Sequence, residues 1–112
     1  MSSLWEGVYD KMRSIKFRQF VYGRFHYWGF LEKDSFTGPI NPRDPSQQFT
    51  GLFSKSGKEI YEGDILLLSM EGQDGRPFAI KWDINCFNVP RISWTYIIIG
   101  NIYENPELLG EL

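Results

Sequence analysis

The stretch Gly57-Lys58-Glu59-Ile60-Tyr61-Glu62-Gly63-Asp64-Ile65-Leu66-Leu67-Leu68 constrains the fold of this chain more than any other. At Glu62-Gly63-Asp64 the glycine can take a positive φ and the aspartate side chain can accept a nearby backbone N–H. Together they turn the chain sharply into an apolar run, Ile65 to Met70. A short run of this kind, bounded by turn residues, is the pattern of a strand buried on both sides. The carboxylates of Glu59, Glu62 and Asp64 lack the ligand spacing and the bidentate terminal Glu of a calcium loop, so they read as turn chemistry and no metal is expected.

A length of 112 residues sets one domain as the expectation. Nine Phe, six Tyr and four Trp within a 42% hydrophobic composition exclude a disordered chain, because each buried ring removes a large area from water. A net charge of −2 gives no general basic footprint for phosphate. Cys86 is the single cysteine, so no intramolecular disulfide can form, which fits a reducing cytoplasm. The longest apolar runs fall far short of a bilayer span, and no basic region leads into an apolar stretch at the N-terminus. The expectation is a cytoplasmic protein with no membrane association.

Residues 15–30 are rich in rings and carry Tyr22-Gly23 midway, which predicts a hairpin. With those two residues as the turn, Phe17 pairs with Trp28, Phe20 with Phe25 and Arg18 with Tyr27, and both faces carry rings. Between Lys33 and Gln48, Gly38-Pro39, Pro42 and Pro45 punctuate the backbone too often for a helix or a central strand, so this is a long connection. Beyond it, Lys55-Ser56-Gly57 and Asp74-Gly75 read as turns, and strands are expected at Phe78 to Trp82 and Trp94 to Ile99. Asn105-Pro106 suggests a capped helical turn. Short strands at this spacing point to a mainly β fold with little helix, a small barrel or sandwich. The triplets Ile60-Tyr61-Glu62 and Ile102-Tyr103-Glu104 have unlike flanks and are not read as a repeat.

Four ordered blocks carry a family resemblance: Met12-Arg13-Ser14-Ile15-Lys16-Phe17-Arg18, Phe49-Thr50-Gly51-Leu52, Gly57 to Ile65, and Ile99-Gly100-Asn101-Ile102-Tyr103-Glu104-Asn105-Pro106-Glu107-Leu108. In that order the chain resembles the YopX family of phage and prophage proteins over roughly residues 12–109. The resemblance implies an SH3-like barrel in the C-terminal half, a phage or prophage origin and a biochemical role that the family leaves undefined. The expected organisation is a single domain: an extension at 1–11, a hairpin and proline-rich seam at 12–48, and the barrel part at 49–112. Residues 1–11 precede the point where family members usually begin. The seam is proline-rich where the family is usually more acidic and strand-like, so nothing mapped to that segment would transfer.

No catalytic constellation emerges. His26 lies on the hairpin, far in sequence from Cys86, and neither sits in a motif that sharpens a nucleophile. Gly72-Gln73-Asp74-Gly75 lacks the Lys-Ser/Thr of a phosphate loop. The expectation is a nonenzymatic protein without cofactor. The candidate binding residues are the basic and aromatic positions of the hairpin, Lys16, Arg18, Arg24, His26, Tyr27 and Trp28. Rings on both faces of a hairpin can serve as core on one side and as a subunit contact on the other, which gives a protein-interaction module that self-associates. The alternative is single-stranded nucleic acid, with bases stacked on rings and phosphates tracked by Arg and Lys.

Overall fold

The computed structural model describes residues 15–32, 35–70, 75–83, 86–90 and 92–110. The expected extension at 1–11, the start of the Met12 to Arg18 block and the Asp74 half of the Asp74-Gly75 turn lie outside these residues. The strands are β1 Lys16–Val21, β2 Arg24–Glu32, β3 Ser35–Thr37, β4 Gln47–Phe53, β5 Glu59–Tyr61, β6 Asp64–Leu68, β7 Phe78–Ala79, β8 Trp82–Asp83, β9 Cys86–Phe87 and β10 Tyr96–Asn101. Among the described residues helix is limited to two 3-10 turns, Ser93–Thr95 and Pro106–Leu109, and no helix is long and apolar enough to cross a membrane. The fold is mainly β, as the sequence implies. The described strands do not close into a barrel.

Two compact units divide between Gly51 and Leu52. In the N-terminal unit the strand order is β3-β2-β1-β4. β1 and β2 pair antiparallel in the predicted register, with Phe17 opposite Trp28, Arg18 opposite Tyr27 and Phe20 opposite Phe25. Tyr22 at φ 55 and Gly23 at φ 78 make the turn, both left-handed as a two-residue type I′ hairpin requires. The seam contributes one short edge strand, β3, which pairs Phe36 with Phe30.

Gly29, at φ 103 within β2, holds a closer approach: a Cβ there would stand 2.5 Å from the Ile15 carbonyl oxygen. That carbonyl accepts the Phe30 N–H at 2.8 Å. Gly29→Ala is therefore expected to cost roughly 2 kcal/mol from backbone strain and displacement of the first residues of the hairpin. Urea unfolding followed by circular dichroism measures it, and an unchanged midpoint would show that the strand absorbs the methyl group.

In the C-terminal unit, the last residues of β4 lead into the Lys55-Ser56-Gly57 turn, closed by Ser54 N–H to Lys58 O at 2.9 Å. β6 lies between β10 and β7 in a three-stranded antiparallel sheet, while β8 and β9 form a separate two-stranded ribbon. The core is Ile60, Leu66 and Ile80, each at most 1% exposed, with Phe78, Tyr96 and Ile98 packed against it.

The Gly63-Asp64 corner ties this unit together. Gly63 has φ 87, and Asp64 Oδ2 accepts the Tyr61 N–H at 2.7 Å, as the sequence predicts. Gly63 N–H donates to Ile80 O, Ile80 N–H to Asp64 O, and Ile102 N–H to Gly63 O, all within 2.9 Å. β10 then pairs Asn101 with Asp64 and Gly100 with Ile65. The two sequence blocks thus meet in space: the second docks on the corner made by the first.

Two strand expectations are corrected. Phe78 to Trp82 is not one strand, because Ile80 turns its backbone to the Gly63-Asp64 corner and Lys81 changes partner to Asn88, whose Oδ1 accepts the Lys81 N–H at 2.8 Å. Trp94 begins no strand either. Thr95 folds back on Ile92 O through both its N–H and its hydroxyl, which makes a 3-10 turn and delays β10 to Tyr96.

The turn at Asn105-Pro106 is present, with Pro106 at its start and Gly110 left-handed at its end. Asn105 does not cap it. Its Oδ1 instead accepts the Asn101 N–H at 3.3 Å, close against Gly100. The two Ile-Tyr-Glu triplets play unlike parts, since Ile60 is fully buried in the core and Ile102 is 39% exposed on a turn.

Candidate interaction surface

The hairpin register assigns each side chain to a face, because side chains alternate along a strand and directly paired residues share a side. Phe17, Gln19 and Val21 of β1 share one face with Arg24, His26 and Trp28 of β2. Lys16, Arg18 and Phe20 share the other with Phe25 and Tyr27. The six candidate residues are therefore divided, with Arg24, His26 and Trp28 on the first face and Lys16, Arg18 and Tyr27 on the second.

On the second face Arg18 is 5% exposed. Its Nε donates to Gln47 Oε1 at 2.7 Å, and its guanidinium lies 4.0 Å from the centre of the Phe25 ring. A guanidinium is less strongly hydrated than an ammonium and stacks on aromatic faces, which makes this placement tolerable for a charge. Phe20 meets Phe25 edge-on at 5.1 Å, and Lys16 Nζ stands 5.4 Å over the buried Phe49 ring. These cations are committed to the packing of the unit itself. Of the two hairpin arginines, Arg24 alone is at the surface.

On the first face Phe17 and Trp28 stack at 4.2 Å with an interplanar angle of 17°. Phe36 then meets Trp28 edge-on at 6.1 Å and Phe30 at 5.1 Å. Four rings thus run across three strands, and the run ends at the sheet edge with Phe30 45% and Phe36 57% exposed. Trp28 Nε1 donates to Ser46 Oγ at 3.0 Å, and His26 Nε2 lies 3.1 Å from Val21 O. A carbonyl can only accept, so this imidazole nitrogen carries a proton. Over β1 the face is covered by the seam: Gln19, fully buried, donates to Asn41 O at 2.6 Å and Asp44 O at 2.9 Å and accepts the Asn41 N–H at 3.1 Å.

Chemically, this surface offers an apolar edge with one cation and one imidazole along β2. Sequence reasoning reached the strand and missed its exposed end, Phe30 and Phe36. Extending the predicted pairing two residues beyond Trp28 would have reached Phe30; Phe36 sits in a proline-rich segment that gives no strand pattern. Gln19 was missed because a polar residue on a strand ordinarily reads as solvent-facing. His26 belongs to the N-terminal unit, and Cys86, exposed on β9, to the C-terminal one.

The comparisons with known proteins bear on the family. A crystal structure of protein EF1440 from Enterococcus faecalis is similar at 26% sequence identity, covering 85% of this chain and 74% of that one with a TM-score of 0.49. No curated protein matches. The family model described as YopX protein matches residues 31–110, a span that holds the Phe49, Gly57 and Ile99 blocks and begins where the hairpin ends. Matched over most of its length, through the two blocks that meet at the Gly63-Asp64 corner, the chain belongs to the YopX family.

Proposed function

We propose that this protein is a cytoplasmic phage or prophage accessory protein that acts without catalysis, as a protein-interaction module that self-associates. The observation that carries the reading is the run of four rings across β1, β2 and β3, which ends in the exposed pair Phe30 and Phe36. Aromatic side chains clustered at a sheet edge are depleted on surfaces that stay in water and enriched at the centres of interfaces. The C-terminal unit, whose short antiparallel strands pack on one apolar cluster, is on this reading an open, SH3-like arrangement that scaffolds the module.

Light scattering at micromolar concentration tests self-association directly. The expected mass is a multiple of the 13.1 kDa chain, and Phe36→Ser is expected to weaken the assembly at least tenfold. A mass of one chain across that range would sink the proposal.

A further inference from the structure

The outer strands of the C-terminal sheet have outward backbone groups that are answered within the chain. On β7, Ala79 O accepts from Asn88 Nδ2 at 3.0 Å, and on β10, Tyr96 O accepts the Lys55 N–H at 2.8 Å. Covering of this kind keeps an edge from pairing with another chain. β3 ends the N-terminal sheet differently. All three of its residues are exposed, and among the described residues no strand pairs beyond it.

The register fixes where its backbone groups point. Phe30 gives its N–H to Ile15 O, so its backbone faces β1. Phe36 lies directly opposite Phe30, and in an antiparallel pair the residue opposite one that faces away also faces away. The N–H and C=O of Phe36 therefore point out of the sheet, while those of Thr37, opposite Gly29, point to β2. The Phe36 ring ends the aromatic run on the same side as Phe30, 57% exposed. The chain that follows leaves this edge open: a Cβ added at Gly38 would meet nothing within 4 Å, and the seam turns inward to Gln19 and Trp28.

We propose that the β3 edge is completed by β3 of a second copy, paired antiparallel about a two-fold axis through the two Phe36 residues. The inference rests on the self-association proposed above and names its geometry. About that axis the two Phe36 residues exchange both N–H···O bonds, Ser35 of each copy stands opposite Thr37 of the other, and the two aromatic runs join at Phe36. An unrelated strand could make the same backbone bonds, but it would have to bring its own ring to the place beside Phe36. A second copy brings that ring by symmetry. Two backbone bonds are few for an assembly, so the rings carry the affinity and the bonds set the register. The copies lie side by side in one sheet, so each seam keeps its place over its own β1.

Amide hydrogen exchange followed by NMR on the wild-type protein tests the edge directly. The Phe36 N–H is expected to exchange at least ten times more slowly as concentration rises and the dimer fills, while the Thr37 N–H, which faces β2, changes little. Protection of Phe36 already complete at the lowest concentration would mean that the chain covers its own edge, and would overturn the proposal. Disulfide trapping tests the register. In a Cys86→Ser background, a mixture of Ser35→Cys and Thr37→Cys proteins is expected to form a disulfide-linked dimer at least ten times faster than either alone. Like positions would be diagonal neighbours, roughly 7–8 Å apart and too far for a disulfide. An assembly by light scattering with neither effect would overturn this geometry and leave self-association standing. A strictly monomeric wild type would overturn both.

Discussion

Asp64→Ala is expected to destabilise the protein by about 3 kcal/mol, the largest loss from any single polar side chain. Asp64 is 3% exposed and its Oδ2 accepts the Tyr61 N–H at 2.7 Å, from a residue that is itself 3% exposed. Hydrogen bonds to charged groups contribute about 1.5–3 kcal/mol, and a buried N–H left without an acceptor adds its own desolvation penalty. Opposing this, alanine removes a carboxylate whose burial is costly. The loss wins because the bond fixes the turn that feeds β6. Ile80 and Ile102 both donate their N–H groups to the Gly63-Asp64 corner, so its movement loosens β10 and the chain after β7 as well. Asp64→Asn, which keeps an acceptor oxygen of the same shape, is expected to recover more than half of the loss. Urea unfolding followed by circular dichroism compares the three proteins. An alanine variant within about 0.5 kcal/mol of wild type would show that the turn is held by its backbone bonds alone.

That corner is also where the sequence was most legible. Glu62-Gly63-Asp64 before an apolar run specifies a local geometry whose parts are adjacent in the chain, and the hairpin is legible for the same reason. Once Tyr22-Gly23 is the turn, every opposing pair from Lys16 and Gly29 to Val21 and Arg24 follows by counting. The illegible parts depend on partners distant in sequence. Phe78 to Trp82 alternates like a strand, and nothing in that alternation tells that Ile80 will bond the Gly63-Asp64 corner while Trp82 pairs with Phe87. The candidate surface was half legible. The ring content of the hairpin identified it as unusual, but with rings on both faces the pattern could not separate the cations committed to packing, Arg18 and Lys16, from Arg24 at the surface. That separation needed Gln47 and Phe49, which arrive from β4.

Gln19 carries the same lesson into the seam, and Gln19→Leu is expected to cost about 2–3 kcal/mol while releasing the segment from Asn41 to Asp44. Leucine is close in size and fully apolar, so packing alone predicts a neutral or stabilising change at a position with no exposure. Hydrogen bonding predicts the reverse. The amide satisfies three backbone groups, Asn41 O, Asp44 O and Asn41 N–H, and leucine satisfies none. Each loss costs on the order of 1 kcal/mol where water can reach the group and more where it cannot. The seam therefore lifts from β1 to let water in. Asn41 and Asp44 remain joined by Asn41 Nδ2 to Asp44 Oδ2 at 3.1 Å, so they come away together. Trypsin reads this out, because Arg43 lies between Asn41 and Asp44, the two residues that Gln19 holds, and its own N–H is tied to Asn41 Oδ1 at 3.1 Å in the wild type. The expected result is cleavage after Arg43 at least ten times faster in Gln19→Leu, together with the lowered urea midpoint. Gln19→Glu, which keeps an acceptor for the Asn41 N–H and sets a carboxylate against two carbonyl oxygens, is expected to be at least as harmful. A stable, protease-resistant leucine variant would mean that the prolines of the seam, and not Gln19, hold it against the sheet.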